Sequence, residues 1–163
     1  MKTYNILFLC THNSARSVIG EVLATQMSGG KFIGYSAGST PGGRVNPFAV
    51  EIAESLGYDT SKLRSKSWDE FAAPGAPQMD FIITVCDSAA GEQCPYWPGK
   101  PATSHWGYPD PSAVQGSDED KRAAFKQVEM GLKRRLQILM NLPLEKLDTM
   151  SLNQELKRIA TEN

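Results

Sequence analysis

The stretch from Tyr4 to Met27 limits what this chain can fold into more than any other part of it. A short apolar run of buried-strand type, Ile6-Leu7-Phe8-Leu9, is followed by Cys10-Thr11-His12-Asn13-Ser14-Ala15-Arg16-Ser17. Beyond that, Ile19, Val22, Leu23 and Met27 recur at helical spacing. Cys10 therefore belongs at the end of a strand, in a loop that opens a helix. Such a loop turns successive backbone N–H groups toward one point, beside the positive end of a helix dipole. The result is an oxyanion cradle with a thiol at its floor. Arg16 adds a planar fork able to grip two oxygens of a tetrahedral anion. Thr11, His12, Asn13, Ser14, Ala15, Arg16 and Ser17 are the expected oxyanion-binding residues, and Cys10 the expected nucleophile. A lone cysteine and arginine would read as a buried strand-end residue and a surface cation, but the full strand–loop–helix pattern does not.

A thiol attacks only as thiolate, and its unperturbed pKa is about 8.5. Loop amides, the helix N-terminus and Arg16 all favour the charged form, so a Cys10 that titrates in the acid range is expected. Ser17 can donate a hydrogen bond to the sulfur, and the Asn13 amide can tie the loop together.

Composition narrows the classes of partner. The chain has 163 residues, enough for one domain with a real core, and a formal net charge of −1. No general basic field points to nucleic acid or to an anionic membrane. The densest basic run, Lys133-Arg134-Arg135, reads as a solvated helix face. No apolar run is long enough to span a bilayer, and Met1-Lys2-Thr3 leads directly into a strand with no signal-peptide pattern. A cytoplasmic protein is expected, and the odd count of three cysteines argues against a secreted disulfide framework.

Strand and helix patterns alternate along the chain. Strands are expected over Tyr4–Leu9, Lys31–Ala37 and Asp80–Val85, with a short fourth over Ser104–Tyr108. Helices are expected from Ser17 to about Met27 and from Pro47, capped by Asn46, with Val50, Ala53 and Leu56 on the inner face. A long helix over Asp118–Leu142 follows, with Phe125, Val128, Leu132, Leu136 and Leu139 turned inward. Pro143 ends it, and Ser151 with Gln154 resembles a capping box that opens a last short helix. The pattern gives a single α/β domain, about four parallel strands with helices on both faces, over residues 1–142, and a C-terminal helical extension over residues 143–163. Active sites of such sheets lie at the carboxyl ends of the strands. Cys10 and Cys86 each directly follow a strand, so both belong at that edge.

Cys86 and Cys94 lie in a long irregular segment from Cys86 to Pro111. Their spacing is wrong for a zinc knuckle, and no metal site is expected. Two incidental thiols are possible. The sharper reading is a resolving cysteine, Cys86, with Cys94 able to carry a disulfide onward by thiol exchange. Asp110 is flanked by Pro109 and Pro111, which stiffen the backbone and fix the carboxyl group. Local sequence leaves a general acid and an ordinary Asp-Pro turn equally open.

Cys10 to Ser17, Tyr35-Ser36-Ala37-Gly38, Val45-Asn46-Pro47, Thr84-Val85-Cys86, Cys94-Pro95 and His105-Trp106-Gly107 leading to Asp110-Pro111 together resemble the low-molecular-weight protein tyrosine phosphatase superfamily. Within it, the two extra cysteines and the His-Trp-Gly segment resemble the thioredoxin-coupled arsenate reductases. The resemblance runs from about Tyr4 to Leu142 and implies a reaction. Arsenate sits in the Cys10–Arg16 loop, Cys10 attacks arsenic, and Asp110 protonates the departing oxygen. Cys86 then attacks Cys10 and arsenite leaves. Cys94 moves the disulfide to the surface, where a thioredoxin- or glutaredoxin-type donor reduces it. Phosphate and sulfate would compete, no cofactor is needed, and a monomer is expected.

Some relatives bind potassium behind the loop. Asn13, Ser36 and Glu21 match that site, but Arg64-Ser65-Lys66-Ser67 stands where a threonine and an acid would be, so Lys66 puts a fixed cation there. The alternative within the superfamily is a phosphatase, but those enzymes carry tyrosines after their Asp-Pro, where this chain has Ser112-Ala113.

Overall fold

The computed structural model describes residues 2–86 and 101–161. Four strands, β1 (Tyr4–Cys10), β2 (Phe32–Gly38), β3 (Phe81–Thr84) and β4 (Ala102–His105), form one sheet in the order β2-β1-β3-β4. Every pairing is parallel. The chain leaves β1 for β2 on one side and then crosses to β3 on the other, so the topological switch lies at the carboxyl end of β1, where Cys10 sits.

Side chains of β1 divide by alternation, as a strand buried on both faces requires. Ile6, Phe8 and Cys10 join the larger core, which also holds Phe32, Phe81, Ile83 and the inner faces of four helices. These are α1 (Arg16–Met27), α2 (Pro47–Ser55), α4 (Asp118–Met140) and α5 (Thr149–Ala160). Leu7, Leu9 and Ile82 face the other way, into a smaller core with Trp68, Phe71 and Met79. The short helix α3 (Asp69–Ala72) covers that face. Among the described residues no helix is long and apolar enough to cross a membrane.

The inward set expected for α4 is buried in full, but Arg135 is buried with it. The basic run is therefore split: Lys133 and Arg134 face solvent and Arg135 does not. In α2 the inner residues are Ala49, Ile52 and Ala53, whereas Val50 and Leu56 are half-buried. The expected Asn46 cap is present, its Oδ1 accepting from the Phe48 amide at 2.9 Å. Strand β4 begins two residues earlier than the sequence suggests and stops at His105. There Trp106 is fully buried and donates its indole N–H to the Leu156 carbonyl at 3.3 Å. The last helix also opens early. Asp148, not Ser151, is its cap, and the Ser151 amide donates to the Asp148 carboxylate at 2.8 Å. A carboxylate at that position also complements the positive end of the helix dipole.

Candidate active site

The loop between β1 and α1 is shaped from outside. Its Thr11, His12 and Ser14 carbonyls accept from the amides of Thr40, Gly42 and Asn46 at 2.9, 3.1 and 2.9 Å. In a trans peptide the following N–H points the opposite way, so carbonyls pinned outward turn the amides of His12, Asn13 and Ala15 inward. Asn13 takes the left-handed conformation (φ 51°) that a tight anion-binding loop requires. Gly38 lies so close beneath that a Cβ there would come within 2.5 Å of the Thr11 carbonyl oxygen. Helix α1 starts from Ala15 with no side-chain cap and no acidic residue in its first turn, which leaves its dipole and first amides available to an anion.

Asn13 is fully buried and holds the loop as expected. Its amide donates to Ser17 Oγ at 2.9 Å, and its Oδ1 accepts from the Lys66 amide at 2.9 Å. Ser17 is an acceptor in that bond, so its own proton remains to be donated. His12 is exposed, and its Nδ1 lies 3.1 Å from the Thr40 carbonyl. Arg16 Nη1 donates to the Tyr108 carbonyl at 2.8 Å, and Nη2 lies 3.8 Å from Asp110 Oδ2. Its Nε is buried with no protein partner among the described residues. A buried unpaired donor costs about 1–3 kcal/mol, an expense that an oxyanion in the cradle would remove. The other carboxyl oxygen of Asp110 accepts from the Ser112 amide and hydroxyl at 2.9 and 2.6 Å, which fixes the group with Oδ2 toward Arg16.

Cys10 and Cys86 are both buried thiols, and their side chains hydrogen-bond to each other. Topology brings this about: Leu9 pairs with Thr84 across β1 and β3, and the chain reaches Cys86 two residues later. Thr11 Oγ1 lies 3.5 Å from Cys86 Sγ. The acid-range Cys10 expected from the sequence is not what this geometry gives. The hydrogen bond to Cys86 and then burial push the Cys10 thiol well above its ordinary value, and the negative charge of an ionised Cys86 adds to the rise. Arg16 and the Thr11 amide pull the other way and are outweighed. Sequence reasoning counted the cradle but could not count a second thiol in contact. Cys94 lies outside the described residues.

Behind the loop, Glu21 is buried and accepts from the Ser36 hydroxyl at 2.5 Å and the Tyr58 hydroxyl at 2.6 Å. Lys66 Nζ stands 3.8 Å from the same carboxylate and donates to the Arg64 carbonyl at 2.9 Å. Burial lowers the Lys66 pKa, and Glu21 opposes that shift. The group of residues that resembles a potassium site thus already contains an ammonium, and the residues do not fit a second cation. Tyr58 carried no sequence signal. Tyr108 lay within the flagged segment, but nothing singled out its carbonyl.

A loop of this shape with its thiol and arginine defines a class of oxyanion-handling cysteine enzymes. Residues 5–157 match the model of the family described as low molecular weight phosphotyrosine protein phosphatase. An arsenate reductase of Bacillus subtilis is 38% identical over 136 residues, 83% of this chain and 94% of that protein. One from Halalkalibacterium halodurans is 37% identical over 131 residues, 80% of this chain and 91% of that protein. Among solved structures, an arsenate reductase in the phosphate binding state aligns with a TM-score of 0.63 at 27% identity, covering 85% of this chain and 97% of that one. A thioredoxin-dependent arsenate reductase of Corynebacterium glutamicum aligns with a TM-score of 0.58 at 25% identity, covering 84% of this chain and 60% of that longer one. The chain belongs to the low-molecular-weight phosphotyrosine phosphatase family, in the part of it whose curated members are named arsenate reductases.

Proposed function

We propose that this protein reduces arsenate to arsenite with electrons from its own cysteines. The observation that carries the reading is the contact between Cys10 and Cys86 at the floor of the cradle. Arsenate held by the loop amides and Arg16 is attacked at arsenic by Cys10, whose thiol proton passes to an oxygen of the bound anion as the bond forms, and Asp110 gives its proton to the departing oxygen. Cys86 then attacks Cys10 Sγ. The sulfur–arsenic bond breaks, its electron pair stays with arsenic, and arsenite leaves behind a Cys10–Cys86 disulfide. Cys94 attacks Cys86 and frees Cys10, and a thioredoxin- or glutaredoxin-type donor reduces the Cys86–Cys94 disulfide. The curated relatives' names support the substrate, and the solved thioredoxin-dependent relative supports the donor. Phosphate and sulfate share arsenate's shape and charge and would compete. A reducing, cytoplasmic compartment suits thiols that must return to the free state.

The family description favours a second reading, hydrolysis of phosphomonoesters, which needs Cys10, Arg16 and Asp110 but no further sulfur. Cys86→Ser separates the two. It should abolish arsenate-dependent NADPH oxidation with thioredoxin and its reductase and leave most p-nitrophenyl phosphate hydrolysis intact. Cys94→Ser should give about one turnover and then stall with Cys10 and Cys86 joined, as non-reducing peptide mapping would show. Sustained arsenate turnover by Cys86→Ser would rule out the relay.

A further inference from the structure

Arg16 is tied at two points to the segment 108–110, through the Tyr108 carbonyl and the Asp110 carboxylate. The position of that segment therefore sets the position of the guanidinium. The Tyr108 amide donates to the Val85 carbonyl at 3.1 Å, which anchors the backbone to the end of β3. The ring points the other way, onto α4, and two residues one helical turn apart receive it.

Gly131 forms a notch. A Cβ there would stand 2.8 Å from Tyr108 Cε1, too close for the ring to stay where it is. Glycine inside a helix costs about 1 kcal/mol relative to alanine, and the seated ring gives this one a packing reason. Arg135 closes the seat, its guanidinium lying 4.8 Å from the centre of the Tyr108 ring. This buried cation also donates from Nη2 to the Ala160 carbonyl at 2.9 Å. Ala160 is the last residue of α5, so the guanidinium sits at the negative end of that helix.

Helix α5 is itself fixed to the sheet. Leu156 and Ile159 are fully buried, the Thr103 amide donates to Asn153 Oδ1 at 2.9 Å, and Ser104 and Trp106 both donate to the Leu156 carbonyl. A continuous path of contacts runs from the end of α5 through Arg135 and the Tyr108 ring to the Tyr108 carbonyl and Arg16.

We propose that this path makes Gly131 and Arg135 positioning residues for oxyanion binding, and that the C-terminal helix sets the geometry of the active-site arginine. The inference rests on reading the Cys10–Arg16 loop as the oxyanion site. Neither residue touches the anion; each acts by holding Tyr108.

The test is the affinity for inorganic phosphate, read as protection of Cys10 from alkylation, in the full-length chain well below its melting temperature. Arg135→Met should weaken phosphate about tenfold, an effect of the size packed networks carry. Arg135→Lys keeps a donor for the Ala160 carbonyl but loses the planar stack, and should fall between Arg135→Met and the unsubstituted protein. Gly131→Ala removes no polar partner and improves helix propensity, yet should weaken phosphate several-fold by displacing the ring. It also carries the test should Arg135→Met fail to fold. Leu144→Ala, a buried site off the path, should lower Tm and leave phosphate affinity within about twofold. Unchanged affinity in Gly131→Ala and the Arg135 variants, or an equal loss in Leu144→Ala, overturns the proposal. Phosphate that fails to protect the unsubstituted protein overturns the oxyanion reading itself.

Discussion

The two sides of the Cys10–Arg16 loop are built on opposite terms. Behind it, the buried polar groups are paired: Asn13 with Ser17 and the Lys66 amide, Glu21 with Ser36 and Tyr58, and the Lys66 ammonium with Glu21 and the Arg64 carbonyl. Such a network rigidifies what it touches when every member is satisfied. On the side where an anion would sit, Arg16 Nε is buried without a partner among the described residues, and the Cys10 thiol is held against its ionisation by Cys86. The rear stores stability and the front stores unmet hydrogen-bonding and redox capacity. Substitutions behind the loop should therefore be read in melting curves, and those in front of it in chemistry.

The largest effect expected of that division is at Lys66. Both side chains of the Lys66–Glu21 pair are more than nine-tenths buried, at 7% and 6% exposure. Removing one partner of a buried pair leaves the other charge uncompensated and costs about 3–5 kcal/mol. Lys66→Met should fall near the lower end, because Ser36 and Tyr58 still donate to Glu21. Urea unfolding would measure the loss. A variant as stable as the original protein but defective in phosphate binding would break the division, since Lys66 would then belong to the front.

A smaller effect is expected at the front, in the titration of Cys10. The two influences that Cys86 exerts on it both raise its pKa, whereas Arg16 and the Thr11 amide lower it. Replacing Cys86 by alanine removes both raising influences and leaves burial as the remaining one. The pH profile of Cys10 alkylation in Cys86→Ala/Cys94→Ala should therefore move to lower pH than in Cys94→Ala alone. Tm should fall modestly, because Cys86 is a buried member of the core and alanine leaves its sulfur's volume unfilled. An unmoved profile would mean that burial, and not the second thiol, holds the proton.

Much of the front was legible in the sequence, because its chemistry is local. Strand, Cys10, loop, Arg16 and helix are contiguous, and the apolar run with its helical successor fixes their order. The shared edge of Cys10 and Cys86 also followed, since each ends a strand of a parallel sheet. What escaped depends on contacts across the chain. Nothing around Tyr58 marks a partner for Glu21, and nothing in Lys133-Arg134-Arg135 distinguishes the buried cation from two solvated ones, because helical phase had to be combined with the place of Tyr108 and Ala160. The raised Cys10 thiol escaped for the same reason: local groups lower it, and a residue 76 positions away raises it. The boundary differences have separate sources: β4 begins where Ala102 pairs with Phe81 and stops at His105, where Trp106 turns into the core against α5, whereas α5 starts from the local Asp148 cap.

The smallest expected effect is a null one. Glu21, Ser36 and Asn13 are the residues whose pattern resembles a potassium site. Here the Lys66 ammonium stands 3.8 Å from Glu21 Oε1 and is held on the Arg64 carbonyl. A potassium ion beside it would meet a fixed positive charge in a poorly solvated place, where like charges a few ångströms apart repel by about 4 kcal/mol or more. Melting temperature and the kinetic constants for arsenate should therefore agree between matched sodium and potassium buffers at one ionic strength. Lys66→Met offers the control that gives this equality meaning. With the ammonium gone and the Glu21 charge uncompensated, a monovalent cation gains a reason to bind, and part of the lost stability should return with rising potassium. A specific potassium gain in the unsubstituted protein would show that the ammonium leaves its place beside Glu21 in solution, and the satisfied rear wall would then be no more fixed than the front.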